Sequence, residues 1–110
     1  MTTRQGNNEM TQEREAKILQ DAASTYGAYA QVDMAIEEMA ELTKALLKHR
    51  RVLDAVGTDG LESLKDKTDD VLEEMADVGI MLNQLALIFG DPIEQEIAKL
   101  ERLEKRLADG

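Results

Sequence analysis

The feature that most constrains this fold is a seven-residue acidic segment that occurs twice. Residues 36–42, Ile-Glu-Glu-Met-Ala-Glu-Leu, return at residues 72–78 as Leu-Glu-Glu-Met-Ala-Asp-Val. In each copy the apolar residues recur at helical spacing, and two carboxylates stand three residues apart, where a helix brings side chains to within about 5–6 Å at Cβ. Amphipathic helices of this kind bury their apolar sides by packing. The repeat therefore predicts two packed helices that both carry carboxylates.

The composition predicts an all-α fold in one domain. Of the 110 residues, 43% are hydrophobic, 3% are aromatic and one is proline, a mixture that favours helix over strand. The length suits a single core. We expect a flexible leader over residues 1–10 and one helical domain over residues 11–110.

Charge and residue usage exclude several functions. The absence of cysteine excludes disulfides and thiolate chemistry and fits a reducing compartment. A net charge of −10 argues against binding nucleic acid through its backbone. No apolar run reaches the roughly 18 residues of a membrane span, and the polar start has no signal-peptide core. We therefore expect a cytoplasmic protein with no membrane contact.

Start and stop signals divide the chain into four helices. Thr11 is a candidate N-cap, Gly27 and Gly90 are candidate stops, and Asp91 before Pro92 predicts an N-cap with proline at the first helical position. A short helical turn is expected near residues 61–64, within a loop. The predicted helices cover about residues 12–26, 28–56, 68–89 and 92–107.

The acidic residues are expected at one rim of this bundle. At about 100° per residue, Glu38 and Glu41 fall on a margin of the apolar stripe of the second helix, and Glu74 and Asp77 fall on the matching margin of the third. Antiparallel packing would bring the two margins together. The residues expected to be buried are Val32, Ala35, Ile36, Met39, Leu42, Thr43, Leu46 and Leu47 on the second helix, and Val71, Leu72, Met75, Val78, Gly79, Leu82, Leu85, Ala86 and Phe89 on the third.

Such a cluster favours a hard divalent cation. Like charges four residues apart, such as Asp70 and Glu74, repel each other on a helix, and a cation would offset this repulsion. Four carboxylate oxygens suit Mg²⁺ or Mn²⁺. Two alternatives stay open: a non-enzymatic acidic helical interaction module, in which the carboxylates are a solvated edge, and a di-iron carboxylate bundle. The second fits poorly, because neither acidic segment contains the Glu-x-x-His pattern of such bundles.

The two segments also resemble a known family. Glu37-Glu38-Met39-Ala40-Glu41 followed by Glu74-Met75-Ala76-Asp77 is similar to the EExxE and ExxD motifs of the MazG-like all-α nucleoside triphosphate pyrophosphohydrolases, over about residues 26–107. The short phage and prophage members are the most similar in the flanking stretches. Gly79 departs from the pattern, since a larger residue is more usual beside the metal-binding aspartate.

The resemblance implies a four-helix bundle that forms a homodimer or homotetramer. It also implies Mg²⁺-dependent hydrolysis of a nucleoside triphosphate to the monophosphate and pyrophosphate, a nucleotide-pool house-cleaning activity, with Mn²⁺ as a possible substitute. Glu38, Glu41, Glu74 and Asp77 would hold the metal. Glu37 would complete the catalytic set, as ligand of a second metal or as general base.

A triphosphate site also needs positively charged side chains to bind the phosphate oxygens that the metal does not contact. Lys44, Lys48 and Arg51 follow the first acidic segment at helical spacing, and Lys48 is the first choice. The alternative is that these residues pair with surface carboxylates or complement the helix dipole. Weaker candidates for substrate contact are Lys99 and Arg102 on the last helix, for which the alternative is a solvated or subunit-packing face. Gln31 is either a contact to the base or sugar or an exposed polar residue. His49 is expected at the surface.

Overall fold

A computed structural model describes residues 9–54 and 60–110 of the chain. These residues form four α-helices and no strand, so the all-α prediction is confirmed for the described part. The helices are α1 (Gln12–Tyr26), α2 (Ala28–Asp54), α3 (Gly60–Phe89) and α4 (Ile93–Asp109). Most of the predicted leader, and the predicted end of α2 near residue 56, lie outside the described residues.

The ends of α1 follow the local signals in the sequence. The Thr11 side chain accepts a hydrogen bond from the Arg14 backbone N–H at 3.0 Å, which satisfies one of the free donors at the helix start. Gly27 ends the helix with a φ of 86°, a conformation that costs glycine little, and its N–H donates to the Ala23 carbonyl. Both predicted ends of α1 are therefore confirmed.

Two predicted helix starts are wrong. The third helix begins at Gly60 rather than near residue 68, and the short turn expected at residues 61–64 belongs to it. Thr68 lies inside the helix, and its hydroxyl donates to the Leu64 carbonyl one turn earlier. At α4 the N-cap is Pro92 rather than Asp91, and no side chain caps the first turn.

The core of the molecule is an antiparallel hairpin of α2 and α3, which share most of the contacts between helices. Residues with reduced exposure recur every three or four positions on both helices, the spacing of a coiled-coil seam. We call this contact the seam. Its members are Gln31, Ala35, Glu38, Leu42, Ala45, His49 and Val52 on α2, and Lys67, Val71, Glu74, Val78, Met81, Leu85 and Ile88 on α3.

The most apolar stripe of each helix is not in this seam, which corrects the expected core. The following residues were expected to be buried but are exposed: Ile36, Met39, Thr43, Leu46 and Leu47 on α2, and Leu72, Met75, Leu82 and Phe89 on α3. Most of them lie one residue after a seam position. Because the helices are antiparallel, the residue that follows a seam position points to the same side of the hairpin on both helices. We call this side, formed by Ile36, Met39, Leu46, Leu53, Leu72, Met75, Leu82 and Phe89, the apolar face.

Helix α1 packs on the opposite side of the hairpin. The Asn83 side chain donates to the Glu15 carboxylate at 3.3 Å, and Gln31 donates to the Ala22 carbonyl at 3.4 Å. Ile18 and Ile80 line a cavity of about 280 Å³ between α1 and α3. Helix α1 therefore covers one end of the side opposite the apolar face and leaves the apolar face exposed.

Helix α4 extends away from the other three. Among the described residues, no Cα atom of α4 lies within 8 Å of a Cα atom in α1, α2 or α3. The expected four-helix bundle is thus not closed within one chain. None of the described helices is both long enough and apolar enough to span a membrane.

Candidate metal centre

Three carboxylates from the two acidic segments meet in the middle of the hairpin. Glu38 on α2 and Glu74 and Asp77 on α3 each place an oxygen so that all three lie within 4.8 Å of one another. Glu38 and Glu74 are half-buried in the seam, and Asp77 is exposed beside it. Three oxygen donors at this separation can contact one divalent cation.

The repeat explains why these side chains meet. Each acidic segment has the same phase relative to its helix, so both point to the same side of the antiparallel pair, and the register of the hairpin places Glu38 opposite Glu74. The expectation that both acidic pairs lie on the margin of the packed surface is wrong for Glu38 and Glu74, because the seam itself passes through them. Because the two helices pack through Glu38 and Glu74, these two carboxylates are less exposed than predicted.

Desolvation and repulsion within the cluster raise the pKa of Glu38 above its ordinary value of 4.5. The largest cause is desolvation in the seam, followed by the negative charges of Asp77 and Glu74, a side-chain hydrogen bond with Asp77, and the charge of Glu41. Without a counterion, ionisation of this carboxyl group is therefore less favourable than that of an ordinary exposed glutamate.

Glu74 is the most constrained of the three. Desolvation, followed by the charges of Asp77, Glu41, Glu73 and Asp70, raises its pKa above 4.5. Its Oε2 atom is buried and has no hydrogen-bond partner. A buried, unpaired carboxylate oxygen is costly, and coordination of a cation would satisfy it.

A pocket of about 130 Å³ opens next to the cluster, on the side of the hairpin that also carries α1. It is lined by Glu41 and Glu74 from the predicted metal set and by Lys44 and Lys48 from the predicted phosphate-binding stripe. In the described part of the chain, neither lysine forms an ion pair within 4.0 Å. Their ammonium groups therefore stand beside the carboxylates without being neutralised by one of them.

Two charged residues of this pocket were not predicted as site residues. Asp70 and Glu73 line it, and both charges raise the pKa of Glu74. The sequence did contain a signal, because Asp70 lies four residues before Glu74 and Glu73 lies four residues before Asp77. That spacing puts each pair on one side of a helix.

Other predicted site residues are not brought to the cluster. Glu37 and Arg51 are exposed and do not line the pocket. Lys99 and Arg102 are on α4, and in the described chain its Cα atoms lie more than 8 Å from those of the other helices. Gln31 is only 2% exposed, so the alternative of an exposed polar residue is wrong. Its contact to a base or sugar stays a prediction.

His49 is half-buried rather than at the surface. Its Nε2 lies 2.9 Å from the Thr68 hydroxyl oxygen. Because the Thr68 hydroxyl donates to Leu64, Nε2 must carry the proton and donate. This contact joins α2 to α3 at the end of the pocket nearest the C-terminus of α2.

Comparisons with protein-family models, curated proteins and solved structures found no match for this chain.

Proposed function

We propose that this protein is a Mg²⁺-dependent nucleoside triphosphate pyrophosphohydrolase of the MazG-like type. The observation that carries the proposal is the meeting of Glu38, Glu74 and Asp77, one from the first acidic segment and two from the second, within 4.8 Å. These are the positions at which the two segments resemble the metal-binding motifs of that family.

The residues present fit a divalent metal. Glu38, Glu74 and Asp77 would hold the ion, and Glu41 would approach it from the pocket. The unpaired Oε2 of Glu74 and the raised pKa values of Glu38 and Glu74 both describe a cluster that lacks positive charge. When bound, Mg²⁺ would neutralise charge on the triphosphate oxygens and lower the pKa of a coordinated water.

The remaining roles belong to the side chains around the pocket. Lys44 and Lys48 would bind phosphate oxygens of the triphosphate that extend beyond the metal. Asp70 and Glu73 would keep the pocket negative and so favour a substrate that arrives with a cation. Glu37 keeps its proposed place as ligand of a second metal or as general base, which requires a metal or water at the exposed side of α2.

A homo-oligomer is part of the proposal. The apolar face exposes eight large side chains, among them Phe89 at 74%. A contiguous apolar surface of this kind is rare on monomers and marks a contact surface. A second copy placed on this face would leave the pocket open, because the pocket is on the other side of the hairpin. We place the enzyme in the cytoplasm, with the nucleotide pool it would act on.

The alternative is an acidic helical interaction module without catalysis. One assay separates the two functions: the purified chain is incubated with a panel of ribo- and deoxyribonucleoside triphosphates with Mg²⁺, Mn²⁺ or EDTA. We expect pyrophosphate and monophosphate from at least one triphosphate with metal and none with EDTA. Glu41→Gln should abolish release, whereas Asp33→Asn, an exposed position on the same helix, should not. Metal-independent release, or no release from any triphosphate, would reject the enzyme.

A further inference from the structure

Helix α4 carries an apolar stripe that nothing in the described chain covers. Its large apolar side chains are between 46% and 73% exposed. A helix of 17 residues without packing is marginally stable in water, because most helical stability in proteins comes from an apolar side packed on a partner. The stripe consists of Ile93, Ile97, Leu100, Leu103 and Leu107.

Most charged residues on α4 are separated by sign on the two sides of this stripe. The exceptions are Lys105, which lies among the acidic residues, and Glu96, which lies in the half of the stripe next to the basic residues. At about 100° per residue, Glu94, Glu101 and Glu104 fall on one side, which we call the acidic edge. Lys99, Arg102 and Arg106 fall on the other side, the basic edge. Within the described residues, none of these six side chains forms an ion pair within 4.0 Å. Both edges are therefore available to a partner.

The sorting selects one orientation for a pair of such helices. In a parallel pair related by a twofold axis, the acidic edge of one copy faces the basic edge of the other. In an antiparallel pair, like edges face each other and repel. In heptad terms, Ile93, Leu100 and Leu107 take position a, and Lys99 takes position g. Glu104 then takes position e, which in a parallel coiled coil is the interhelical partner of that g.

We propose that α4 is a docking surface for α4 of a second copy of this chain, packed in parallel. In this arrangement Lys99 of each copy faces Glu104 of the other, which gives two complementary charge pairs across the contact. Glu96 falls at position d, where a polar residue lowers the stability of the pair, so the contact should be weak. A membrane is a poorer partner, because α4 has five acidic and four basic residues and so no attraction to anionic lipid. The proposal does not depend on the metal centre or on any catalytic activity.

Cysteine cross-linking tests the orientation directly, because the natural chain has no cysteine. In a parallel pair each a position meets its own copy, at a separation that a disulfide can bridge. Ile93→Cys and Leu100→Cys should therefore each give a covalent dimer of the full chain under mild oxidation, at least about tenfold faster than Ala98→Cys on the outer side of the helix.

Each other result overturns the proposal. In an antiparallel pair centred on Leu100, the two copies of residue 93 are about 21 Å apart, so Leu100→Cys would cross-link and Ile93→Cys would not. If α4 docks on the apolar face instead, neither variant would cross-link to itself faster than Ala98→Cys.

A charge exchange provides the second test. In the Leu100→Cys background, Lys99→Glu and Glu104→Lys should each slow cross-linking about fivefold, and the two together should restore it to within about twofold. These residues are five positions apart and lie about 140° apart on their own helix, so restoration arises only between copies. A double variant as slow as either single variant, with helix content unchanged by circular dichroism, would reject the parallel pairing.

Discussion

The substitution Glu74→Gln should stabilise the protein in metal-free buffer and destabilise it, relative to the wild type, in buffer that contains Mg²⁺. Glu74→Gln keeps the size of the side chain and removes a charge that desolvation and four neighbouring carboxylates oppose. In EDTA the variant should therefore melt at a higher temperature than the wild type. With Mg²⁺ the order should reverse, because the variant lacks an anionic ligand.

The size of the reversal follows from linkage. At a free Mg²⁺ concentration 100 times the Kd, binding to the folded chain alone adds about 2.7 kcal/mol to the free energy of unfolding. For a domain of this size that corresponds to a rise in Tm of roughly 10–20 °C. If losing a ligand weakens binding about 100-fold, the same Mg²⁺ adds only about 0.4 kcal/mol to the variant.

Thermal unfolding followed by circular dichroism, with EDTA and then with rising Mg²⁺ or Mn²⁺, measures both effects. Asp33→Asn is the matched control: it removes one exposed charge outside the cluster, and its Tm should rise with metal as much as that of the wild type. Equal metal-induced shifts in the wild type and Glu74→Gln would refute the assignment of this residue as a ligand. A lower Tm for Glu74→Gln in EDTA would refute the repulsion argument.

Three further predictions concern the surroundings of the cluster. Lys48→Ala should lower kcat/KM about tenfold to a hundredfold while the metal-induced rise in Tm is kept, since the ammonium meets phosphate and not the cation; unchanged kinetics would remove Lys48 from the site. In EDTA the Tm should fall as the pH rises from about 4.5 towards neutral. The pKa values of Glu38 and Glu74 are raised in the folded chain, so over this range the folded chain holds protons that the unfolded chain has released. A Tm that rises over this range, or that falls equally with saturating Mg²⁺, would contradict this linkage. Gly79→Ala should raise the unfolding free energy by about 1 kcal/mol at low protein concentration, since a Cβ atom there meets nothing within 4 Å; a loss of helix content or of stability in the monomer would contradict it.

The sequence predicted helix ends correctly where a local cap or glycine determines them, and incorrectly where the local residues favour a different boundary. Thr11 and Gly27 mark the ends of α1 through a side-chain cap and a positive φ, both of which are local effects. The start of α3 was placed eight residues too late because Gly57 and Gly60 indicate a loop, and nothing local shows that the helix begins as early as Gly60. Asp91 has the side chain of an N-cap, but the helix begins after Pro92 without using it.

The packed side of the hairpin could not be read from hydrophobicity. Two neighbouring stripes on each helix have the spacing of a seam, and the more apolar one contains Ile36, Met39, Leu72 and Met75. The hairpin instead packs through the stripe that contains small, polar and acidic residues. Periodicity gives the phase of each stripe but does not show which one packs within the chain and which one stays exposed.

The sequence nevertheless predicted that carboxylates of the two segments would lie close together, because this proximity does not depend on which stripe packs. Glu38 and Glu74 have equivalent positions in the two copies of the repeat. An antiparallel hairpin whose register places the copies at the same height therefore brings them together, whether the contact runs through the carboxylates or beside them. The burial of Glu74 and its unpaired Oε2 required the structure, because they follow from the seam passing through that residue.

The most direct test of the metal centre is the position of a bound ion. Crystals of the full chain grown with millimolar Mn²⁺, measured at a wavelength where manganese scatters anomalously, would locate it. We expect an anomalous peak about 2.1 Å from carboxylate oxygens of Glu38, Glu74 and Asp77 in the wild type, and no peak there in Glu74→Gln. A wild-type crystal with no manganese among these three side chains, or with manganese only elsewhere on the surface, would contradict the central claim.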